Sequence, residues 1–456
     1  MKNKLFLFFC LLSSISYSQN WDSLGSGLTG PGADVRDLFV DTATNLLYAV
    51  GSFEYAGNKQ VNGVAVWNGI EWDSVGEGLG GQAAPVVAIA SYQGDLYATG
   101  YYYSGTIYTW NGQDWVSIMS NADGPVFELY SRDQYLYALG WFDSIGGIYA
   151  ARIAKYDGNT WSAIDDTQWT EDSGPLVAAL LYNGELYAAG WSYIWPYFEN
   201  IGRFDGSDWN PLATGIIGGA HIKSLCIYQN KLIIGGDFAE ASGNPSNSIV
   251  AWDGNDFHEL GNGVDDIIIG VNDMVVYNNK LYVAGDFQTV DYGLPAEKIA
   301  IWDGQQWCGL GSQIEGVPNC IAEYNGELII AGNIDSIDGV HFNKIAKWIA
   351  GDYVDTCGAI TGVAENIPPH QNIFISPNPF TNQTTITFQN PKFKIQNLKF
   401  QLFTTLGQKA SIKYSVSENE SNTIFHIDRG NLSSGVYFFQ IISDQEIVAS
   451  GKIIAQ

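Results

Sequence analysis

A hairpin pattern that recurs along most of the chain is the feature that most constrains its fold. In its clearest copy, residues 299–310, apolar residues alternate on both sides of Asp303-Gly304. Asp-Gly tolerates the positive φ of a tight turn, so the pattern predicts two antiparallel strands joined by that turn. Related copies occupy residues 249–260 and 64–75. The middle of the chain is therefore predicted to consist of repeated hairpins.

A second hairpin alternates with the first. At residues 271–285, and again at 177–190, two apolar strands flank an Asn-containing turn, and a glycine closes the second strand. One repeat therefore supplies four short strands, named a to d below, which are enough for one small sheet.

The repeat occurs seven times. The glycine that ends strand b falls at Gly51, Gly100, Gly140, Gly190, Gly236, Gly285 and Gly332. The aromatic residue that opens strand d falls at Trp21, Trp72, Trp115, Trp161, Trp209, Phe257 and Trp307. Four strands in each of seven repeats predict an all-β fold, a seven-bladed β-propeller over residues 19–356.

The two ends of the repeat region complement each other. The chain opens with a strand d at residues 21–24, and the last repeat has a strand c at 345–348 with a poor strand d after it. We predict that the N-terminal strand completes the last blade, because this closure removes an exposed sheet edge. The alternative is that residues 352–356 form a weak strand of their own.

These residues carry a resemblance to known propellers. The glycine of strand b, the aromatic-Asp-Gly turn and the following Trp resemble kelch and galactose-oxidase-like propellers, although the double glycine typical of kelch occurs only at Gly235-Gly236. The Asp-Gly-x-x-Trp turn is also similar to the Asp-box of sialidase propellers, without the Ser that usually opens it. The resemblance covers about residues 20–355 and implies a fold rather than an activity.

The composition changes after the repeats. Residues 357–371, with Pro368-Pro369, are predicted to be a linker. Short alternating strands in residues 372–456 then predict a small Ig-like β-sandwich.

Four motifs in this last region resemble the type A C-terminal sorting domain of the type IX secretion system of Bacteroidetes. They are Ser-Pro-Asn-Pro-Phe at 376–380, Thr-Leu-Gly-Gln at 405–408, Leu-Ser-Ser-Gly-Val-Tyr at 432–437 and Gly-Lys at 451–452. The resemblance implies that the type IX machinery is a partner, and that the protein passes the outer membrane and is then released or attached at the cell surface.

The N-terminus predicts export. Lys2 and Lys4 precede an apolar run at residues 5–12, and Ser16 and Ser18 suit a cleavage before residue 19. Residues 1–18 are therefore predicted to be a signal peptide, too short to span a membrane. No later stretch is long and apolar enough to predict a membrane span.

The charge of the chain narrows the range of partners. Its net charge is −27, yet residues 392–452 contain seven Lys or Arg and five Asp or Glu, so the acidic excess lies in the repeats. A surface of this sign repels phosphate backbones, and we therefore expect no nucleic-acid partner.

The cysteines and histidines of the sequence indicate structural roles rather than catalysis or metal binding. An exported chain meets an oxidising space, and Cys226, Cys308, Cys320 and Cys357 permit three pairings. Of these we favour a disulfide between Cys308 and Cys357, which would tie the end of the repeats to the preceding unit. The five histidines show no metal-ligand spacing, so we expect no metal, cofactor or marked catalytic residue.

The loops that break the repeat are the candidate binding site. In a propeller the b–c and d–a loops share one face, and several b–c loops here are aromatic. The candidate ligand-binding residues are Trp191, Tyr193, Trp195, Tyr197, Tyr102 and Trp141. Such side chains can stack on sugar rings or anchor a protein partner, and the alternative is that they only cover the blade edges.

The sequence therefore predicts a secreted or cell-surface binding propeller that engages a glycan or a protein ligand through one loop face. The alternative function is an extracellular polysaccharide hydrolase or lyase with an acidic residue in the central channel. A purely structural adhesion component is the third hypothesis.

Overall fold

A computed structural model describes the chain in two ranges. Residues 21–349 are described except 81–84, 101–104, 119–121, 165–173, 195–197, 218–220, 265–269 and 292. Residues 373–455 are described except 377–379, 390–397, 405–408, 420–421, 431, 434 and 444–445. The chain forms two compact units, residues 1–357 and 358–456. All regular structure in the described ranges is β-strand, and they contain no helix that could cross a membrane.

The described part of the first unit contains seven antiparallel four-stranded sheets, named sheets 1 to 7 in chain order. Strands a to d of sheet 1 are Val35–Asp41, Leu46–Gly51, Val64–Trp67 and Trp72–Ser74, and those of sheet 2 are Val86–Tyr92, Asp95–Gly100, Ile107–Trp110 and Trp115–Ser117. Strands a to d of sheet 3 are Val126–Arg132, Tyr135–Gly140, Ile153–Tyr156 and Trp161–Ala163, and those of sheet 4 are Leu176–Tyr182, Glu185–Ile194, Phe198–Phe204 and Trp209–Pro211. Strands a to d of sheet 5 are His221–Tyr228, Lys231–Asp237, Ile249–Trp252 and Phe257–His258, and those of sheet 6 are Val271–Tyr277, Lys280–Gly285, Ile299–Trp302 and Trp307–Gly309. Strands a to d of sheet 7 are Ile314–Tyr324, Glu327–Ile337, Ile345–Trp348 and the N-terminal strand Trp21–Ser23.

Shorter strands extend the loops that leave strands b and d. They are Leu28–Thr29, Tyr55–Ala56 and Lys59–Gln60; Ser144–Ile145 and Ile148–Tyr149; Ile216–Ile217, Glu240–Ala241 and Asn244–Pro245; Thr289–Val290 and Leu294–Pro295; and Val340–His341, which pairs with strand b of sheet 7.

The N-terminal strand completes sheet 7, as the sequence predicts. Trp21 pairs with Trp348, and Ser23 pairs with Ala346, in antiparallel register. The indole Nε1 of Trp21 donates a hydrogen bond to Ser312 Oγ at 3.0 Å, so this strand is also tied to the segment that leads out of sheet 6. The first and last described strands of the repeat region therefore share one sheet.

The a strands of the seven sheets contact one another in sequence order, and strand a of sheet 7 contacts strand a of sheet 1. Hydrogen bonds join these two sheets: Tyr324 Oη donates to Asn45 O at 3.1 Å, and Asn319 Nδ2 donates to Asp34 Oδ1 and to Val35 O, both at 2.8 Å. Four-stranded sheets whose inner strands follow one another in this way are the arrangement of a β-propeller.

In six of the seven sheets a close backbone approach requires the glycine of strand b, and the exception is Gly100, where a Cβ would lie 3.5 Å from Pro85 O. A Cβ on Gly190 would lie 2.1 Å from Pro175 O, and one on Gly236 would lie 2.1 Å from His221 O. The register between strands a and b shifts beside this glycine in every sheet. One residue of each strand a is thus left unpaired in a β-bulge, which turns its side chain out of the regular alternation.

The carboxylates of the Asp-Gly turns are structural. In sheet 5, Asp253 Oδ1 accepts the amides of Asn255 and Asp256 at 2.9 and 3.0 Å, and the same contacts recur at Asp157, Asp205 and Asp303. Asn68 makes them in sheet 1, so an Asx oxygen is what the turn needs.

The repeated tryptophans of strand d connect neighbouring sheets. Trp72 Nε1 donates to Leu24 O at 2.8 Å, Trp115 Nε1 to Val75 O at 3.0 Å, and Trp307 Nε1 to Leu260 O at 2.6 Å. Trp72 and Trp307 lie in the apolar core between two sheets, and the partly buried Trp115 packs against such a core. Their recurrence is thus explained by packing.

The described part of the second unit contains two four-stranded antiparallel sheets. One comprises Ile373–Ser376, Gln383–Gln389, Asn422–Asp428 and Lys413–Asn419, and the other comprises Lys409–Ala410, Leu398–Thr404, Gly435–Ser443 and Glu446–Ala455. Phe425 of the first sheet and Phe400 of the second pack at 5.7 Å in a common apolar core. This arrangement agrees with the two packed layers that the sequence predicts.

Candidate functional site

A cavity of about 360 Å³ lies between the a strands of all seven sheets of the first unit. Residues from strand a of every sheet line it, so it occupies the central channel of the propeller arrangement. Its lining is taken from the segment of each strand that contains the β-bulge. The bulge therefore decides which side chains face the channel.

The bulged residues form a ring of seven side chains, which we call the inner ring. In sheet order they are Arg36, Val87, Phe127, Val177, Lys223, Asn272 and Asn319. All seven line the cavity. In sheets 1 to 6 they lie near the start of strand a, and Asn319 lies at the middle of the longer strand a of sheet 7. This end of the sheets carries the b–c and d–a loops, and we call it the loop face.

In six of the seven sheets the residue after the bulge forms a second level in the channel, and three of these residues are acidic: Asp37, Glu128 and Asp273. Asp273 is held by three donors, because its carboxylate accepts the amides of Met274 and Ile321 and the hydroxyl of Ser224. Burial nevertheless raises the pKa of Asp273 to about 6. Its bonds join sheets 5, 6 and 7, which gives it a structural role.

Asp37 and Glu128 differ in the hydrogen bonds that their carboxyl groups accept. Asp37 Oδ2 accepts the amide of Ile89 at 3.2 Å, while burial, with the charge of Asp273 as a smaller cause, raises the pKa of Asp37 to about 7. No residue within the described ranges forms a hydrogen bond to the Glu128 carboxyl. Burial raises the pKa of Glu128 well above its ordinary value, and the charges of Asp37 and Asp273 add to the effect. Glu128 is thus the channel carboxyl that is free to meet a ligand.

A polar network borders the channel on one side. Lys223 Nζ lies 2.8 Å from Asp237 Oδ1 and 3.0 Å from Asn272 Oδ1, and Asn272 Nδ2 donates to Pro318 O at 3.1 Å. Across the next junction, Arg36 pairs with Asp34 at 3.0 Å. The two inner-ring cations are therefore neutralised by neighbouring carboxylates.

Two of the predicted binding residues lie on the loop face with exposed side chains. Trp141 and Trp191 directly follow the strand b glycines of sheets 3 and 4, and they are 55% and 47% exposed. Their amides donate to Pro125 O and Pro175 O, which places each next to the start of a strand a. The ring of Trp191 packs on His221 at 4.6 Å, and His221 lies 3.6 Å from Asp237. Three contacts thus connect Trp191 to the channel-lining Lys223.

The other predicted residues receive less support. The backbone of Tyr193 pairs with Glu199 in the extended hairpin of sheet 4. Tyr102, Trp195 and Tyr197 lie outside the described residues. Cys308 is disulfide-bonded, whereas Cys226 and Cys320 are free. The predicted partner Cys357 lies outside the described residues, so that pairing stays a prediction.

In the described part of the chain, no group of three or more His, Cys, Asp or Glu side chains could hold a metal ion. The carboxylate of Asp335, near the end of strand b of sheet 7, is engaged by Lys344 at 2.6 Å. Asp338 Oδ1 accepts the amide of Gln313 at 2.8 Å. Both carboxylates are committed to the loops that they hold.

The channel carboxyls were missed by the sequence analysis, although the sequence contains a signal for them. At residues 35–38 and 271–274, apolar residues are spaced by three rather than two at the start of strand a. This break in strand periodicity indicates a bulge. The acidic residue directly precedes the second apolar residue in both, whereas the apolar Phe127 hides the same signal before Glu128.

Comparison with known families supports the predicted cellular location of the protein. Residues 374–456 match the family model of the secretion system C-terminal sorting domain, which confirms the predicted type IX sorting domain. This domain indicates secretion and attachment to the outer cell surface, and it implies an interaction with the secretion machinery. No curated protein sequence matches the chain significantly.

Several solved structures are similar to the chain at low sequence identity. YCF48 bound to a D1 peptide is 13% identical, with 76% of this chain and 98% of that chain covered and a TM-score of 0.45. The computationally designed Ika8 protein is 12% identical, with coverage of 72% and 99% and a TM-score of 0.46. Xyloglucan PUL GH43B of Bacteroides ovatus is 11% identical, with coverage of 80% and 89% and a TM-score of 0.28.

Proposed function

We propose that this secreted cell-surface protein binds an extracellular glycan through the loop face of a seven-bladed propeller. The observation that carries the proposal is the exposure of Trp141 and Trp191 at equivalent positions beside the channel. Nine other tryptophans of the repeats are buried: Trp21, Trp67, Trp72, Trp161, Trp209, Trp252, Trp302, Trp307 and Trp348. Exposed indoles among so many buried ones favour a contact with a ligand, because large aromatic side chains usually lose most of their exposed surface on folding.

The finer architecture belongs to the same proposal. Seven four-stranded sheets in residues 21–348 and the bonds between sheets 7 and 1 support a closed ring of seven blades, with the N-terminal strand in the last blade. We include in the proposal an Ig-like sandwich at residues 372–456 and a signal peptide at residues 1–18.

The geometry around Trp191 favours a glycan over a protein ligand. Trp191 and His221 form a tilted pair of rings, with an angle of 30° between their planes, beside hydrogen-bonding groups at the channel mouth. An aromatic plane next to hydrogen-bonding groups suits a sugar ring, which offers an apolar C–H face and a hydroxyl edge. A protein anchor would instead favour a larger continuous apolar patch.

A glycan array probed with the secreted full-length chain tests this function. Replacement of both Trp141 and Trp191 by Ala is expected to abolish binding with little change in melting temperature, because both side chains are exposed. The matched control is Ile70→Ala, which removes an 85% exposed apolar side chain from a c–d turn at the other end of sheet 1. Binding that survives the double substitution, or binding only to a protein partner, would overturn the proposal.

A polysaccharide hydrolase or lyase at the channel is the second candidate, and Glu128 is the observation that favours it. A carboxyl with a raised pKa can act as a general acid near neutral pH, and Asp37 supplies a second carboxyl in the same cavity. Release of reducing ends from polysaccharides by the wild type, and its loss in Glu128→Gln, would support an enzyme. Equal product from both proteins would exclude this role of Glu128.

A further inference from the structure

The inner ring is divided into two arcs of different chemistry. In sheets 2 to 4 its members are apolar: Val87, Phe127 and Val177. In sheets 5, 6, 7 and 1 its members are cations or carboxamides: Lys223, Asn272, Asn319 and Arg36. Since all seven occupy the same bulge position, the division reflects side-chain chemistry at one register and not a difference in backbone.

The residues that follow the strand b glycines form an outer ring on the same face, and it is divided along the same line. Sheets 3 and 4 carry the exposed Trp141 and Trp191. Sheets 5, 6, 7 and 1 carry the polar residues Asp237, Asp286, Asn333 and Ser52. We call sheets 2 to 4 the apolar half of the loop face, and sheets 5 to 7 with sheet 1 the polar half.

The polar half is balanced in charge although the chain is strongly acidic. Asp237 is paired with Lys223, and Asp286 with Lys298. Arg36 is paired with Asp34, and Asn333 Oδ1 accepts from Lys344 at 2.9 Å. The half therefore presents donors and acceptors without a strong field of either sign.

The polar half is also held rigid across the sheet junctions. Lys223 of sheet 5 bonds to Asn272 of sheet 6, and Asn272 bonds to Pro318 O of sheet 7. Asn319 of sheet 7 donates to Asp34 Oδ1 and Val35 O of sheet 1, both at 2.8 Å. Groups fixed in this way lose little freedom when a ligand binds, which favours selective recognition.

We propose that the loop face binds a neutral oligosaccharide laid across the channel mouth, with sugar C–H faces on the apolar half and hydroxyls on the polar half. This inference rests on the proposed function and adds the charge class and the orientation of the ligand. A polyanionic glycan is disfavoured because the chain has a net charge of −27. A wholly apolar ligand would leave the polar half unmatched.

Binding of two probes to the full-length chain tests the charge class: xylohexaose, which is neutral, and hexagalacturonate, which is anionic. The wild type is expected to bind xylohexaose or another neutral hexasaccharide at least tenfold more tightly than hexagalacturonate. Tighter binding of hexagalacturonate than of any neutral hexasaccharide would overturn the inference.

Two substitutions test the division of the face. Arg36→Met removes guanidinium donors from the polar half, and Phe127→Asn places an amide in the apolar half. Each is expected to weaken neutral hexasaccharide binding about tenfold, which is the usual consequence of losing one good polar or stacking contact. Arg36 is 50% exposed, so its substitution is expected to leave the melting temperature near that of the wild type.

Arg132→Met is the matched control. Arg132 also lies on a strand a and its side chain is 57% exposed, but it ends that strand and so faces away from the loop face. Arg132→Met removes one positive charge, as Arg36→Met does, and is expected to keep wild-type affinity. If the Trp141 and Trp191 double variant loses binding while Arg36→Met and Phe127→Asn keep it, the proposed function stands and the divided face is overturned. If the wild type binds no glycan, both are overturned.

Discussion

The repeats of this protein contain two sets of carboxyl groups, and their environments shift the carboxyl pKa values in opposite directions. The Asp-Gly turn carboxylates of Asp157, Asp205 and Asp253 lie on the surface, and backbone amides lower their pKa values. Asp37, Glu128 and Asp273 line the channel, where burial raises theirs. The comparison teaches that the repeat fixes where a carboxyl lies, whereas the surroundings fix its protonation.

The largest expected effect follows from the pKa of Asp37. Its native value of about 7 exceeds the ordinary 3.8, so the native state binds more protons between these values and its stability falls as pH rises through them. Asp37→Asn retains an oxygen for the Ile89 amide and removes the charge. We expect it to stabilise the protein by about 2 kcal/mol at pH 8, about half of what the pKa difference corresponds to, because the Asp37 side chain is only half-buried and solvent screens its charge.

Chemical denaturation of wild type and Asp37→Asn at several pH values measures this effect. The difference in unfolding free energy is expected to be near zero at pH 4 and to grow up to about pH 8. A difference that does not change with pH would contradict the prediction.

The turn carboxylates are expected to show the opposite pH dependence. The pKa of Asp205 is lowered, so its contribution to stability is present above pH 3.8 and is lost as pH falls through its native pKa. Asp205→Ala leaves the amides of Ser207 and Asp208 without their side-chain acceptor. Thermal denaturation at pH 7 is expected to show a melting temperature a few degrees lower, with a smaller decrease near pH 3. A decrease that grows in acid would contradict this account.

Coupling within the channel is a smaller effect. The negative charges of Asp37 and Glu128 repel each other, so each raises the free-energy cost of ionising the other. Removing either charge therefore lowers that cost for the remaining carboxyl. The double variant Asp37→Asn with Glu128→Gln is expected to be more stable than either single variant, but by about 0.5–1 kcal/mol less than the sum of the two gains. A double-mutant cycle at pH 8 measures this term, and strict additivity would show that the two carboxyls are independent.

The smallest effect is expected for Asp205→Asn. Asn68 and Asn111 already fill the equivalent position in sheets 1 and 2 and accept the same two amides. The variant should therefore melt within about a degree of the wild type at pH 7. A decrease as large as that of Asp205→Ala would show that the charge, rather than the oxygen, stabilises the turn.

Much of the fold could be predicted because its information is local and repeated. The Asp-Gly turns and the apolar alternation predicted the hairpins, and the unmatched strands at the two ends predicted that the N-terminal strand pairs with the strand at residues 345–348. Strand Lys413–Asn419 of the second unit was not predicted, because its alternation is mostly polar and it lies at the edge of its sheet.

The candidate site was predictable only in part. Trp141 and Trp191 could be identified because they interrupt a repeat whose other aromatic residues have packing roles. The channel carboxyls could not be recognised as one group, since Asp37 and Glu128 are about ninety residues apart and each resembles an ordinary polar residue of a strand. A shared position in the repeat does not reveal that the seven copies converge on one cavity.

The sequence by itself determined the repeated four-stranded unit, the pairing that completes the last sheet and the sorting domain, because hydrophobic periodicity, turn residues and terminal motifs act over short distances. The tertiary structure alone decided that a β-bulge in each strand a turns one side chain toward a common channel, and that cations, amides and apolar groups there form two halves. The physical reason is that a ring of sheets brings distant residues together at one radius, where burial and mutual charge replace local sequence as the determinants of their chemistry.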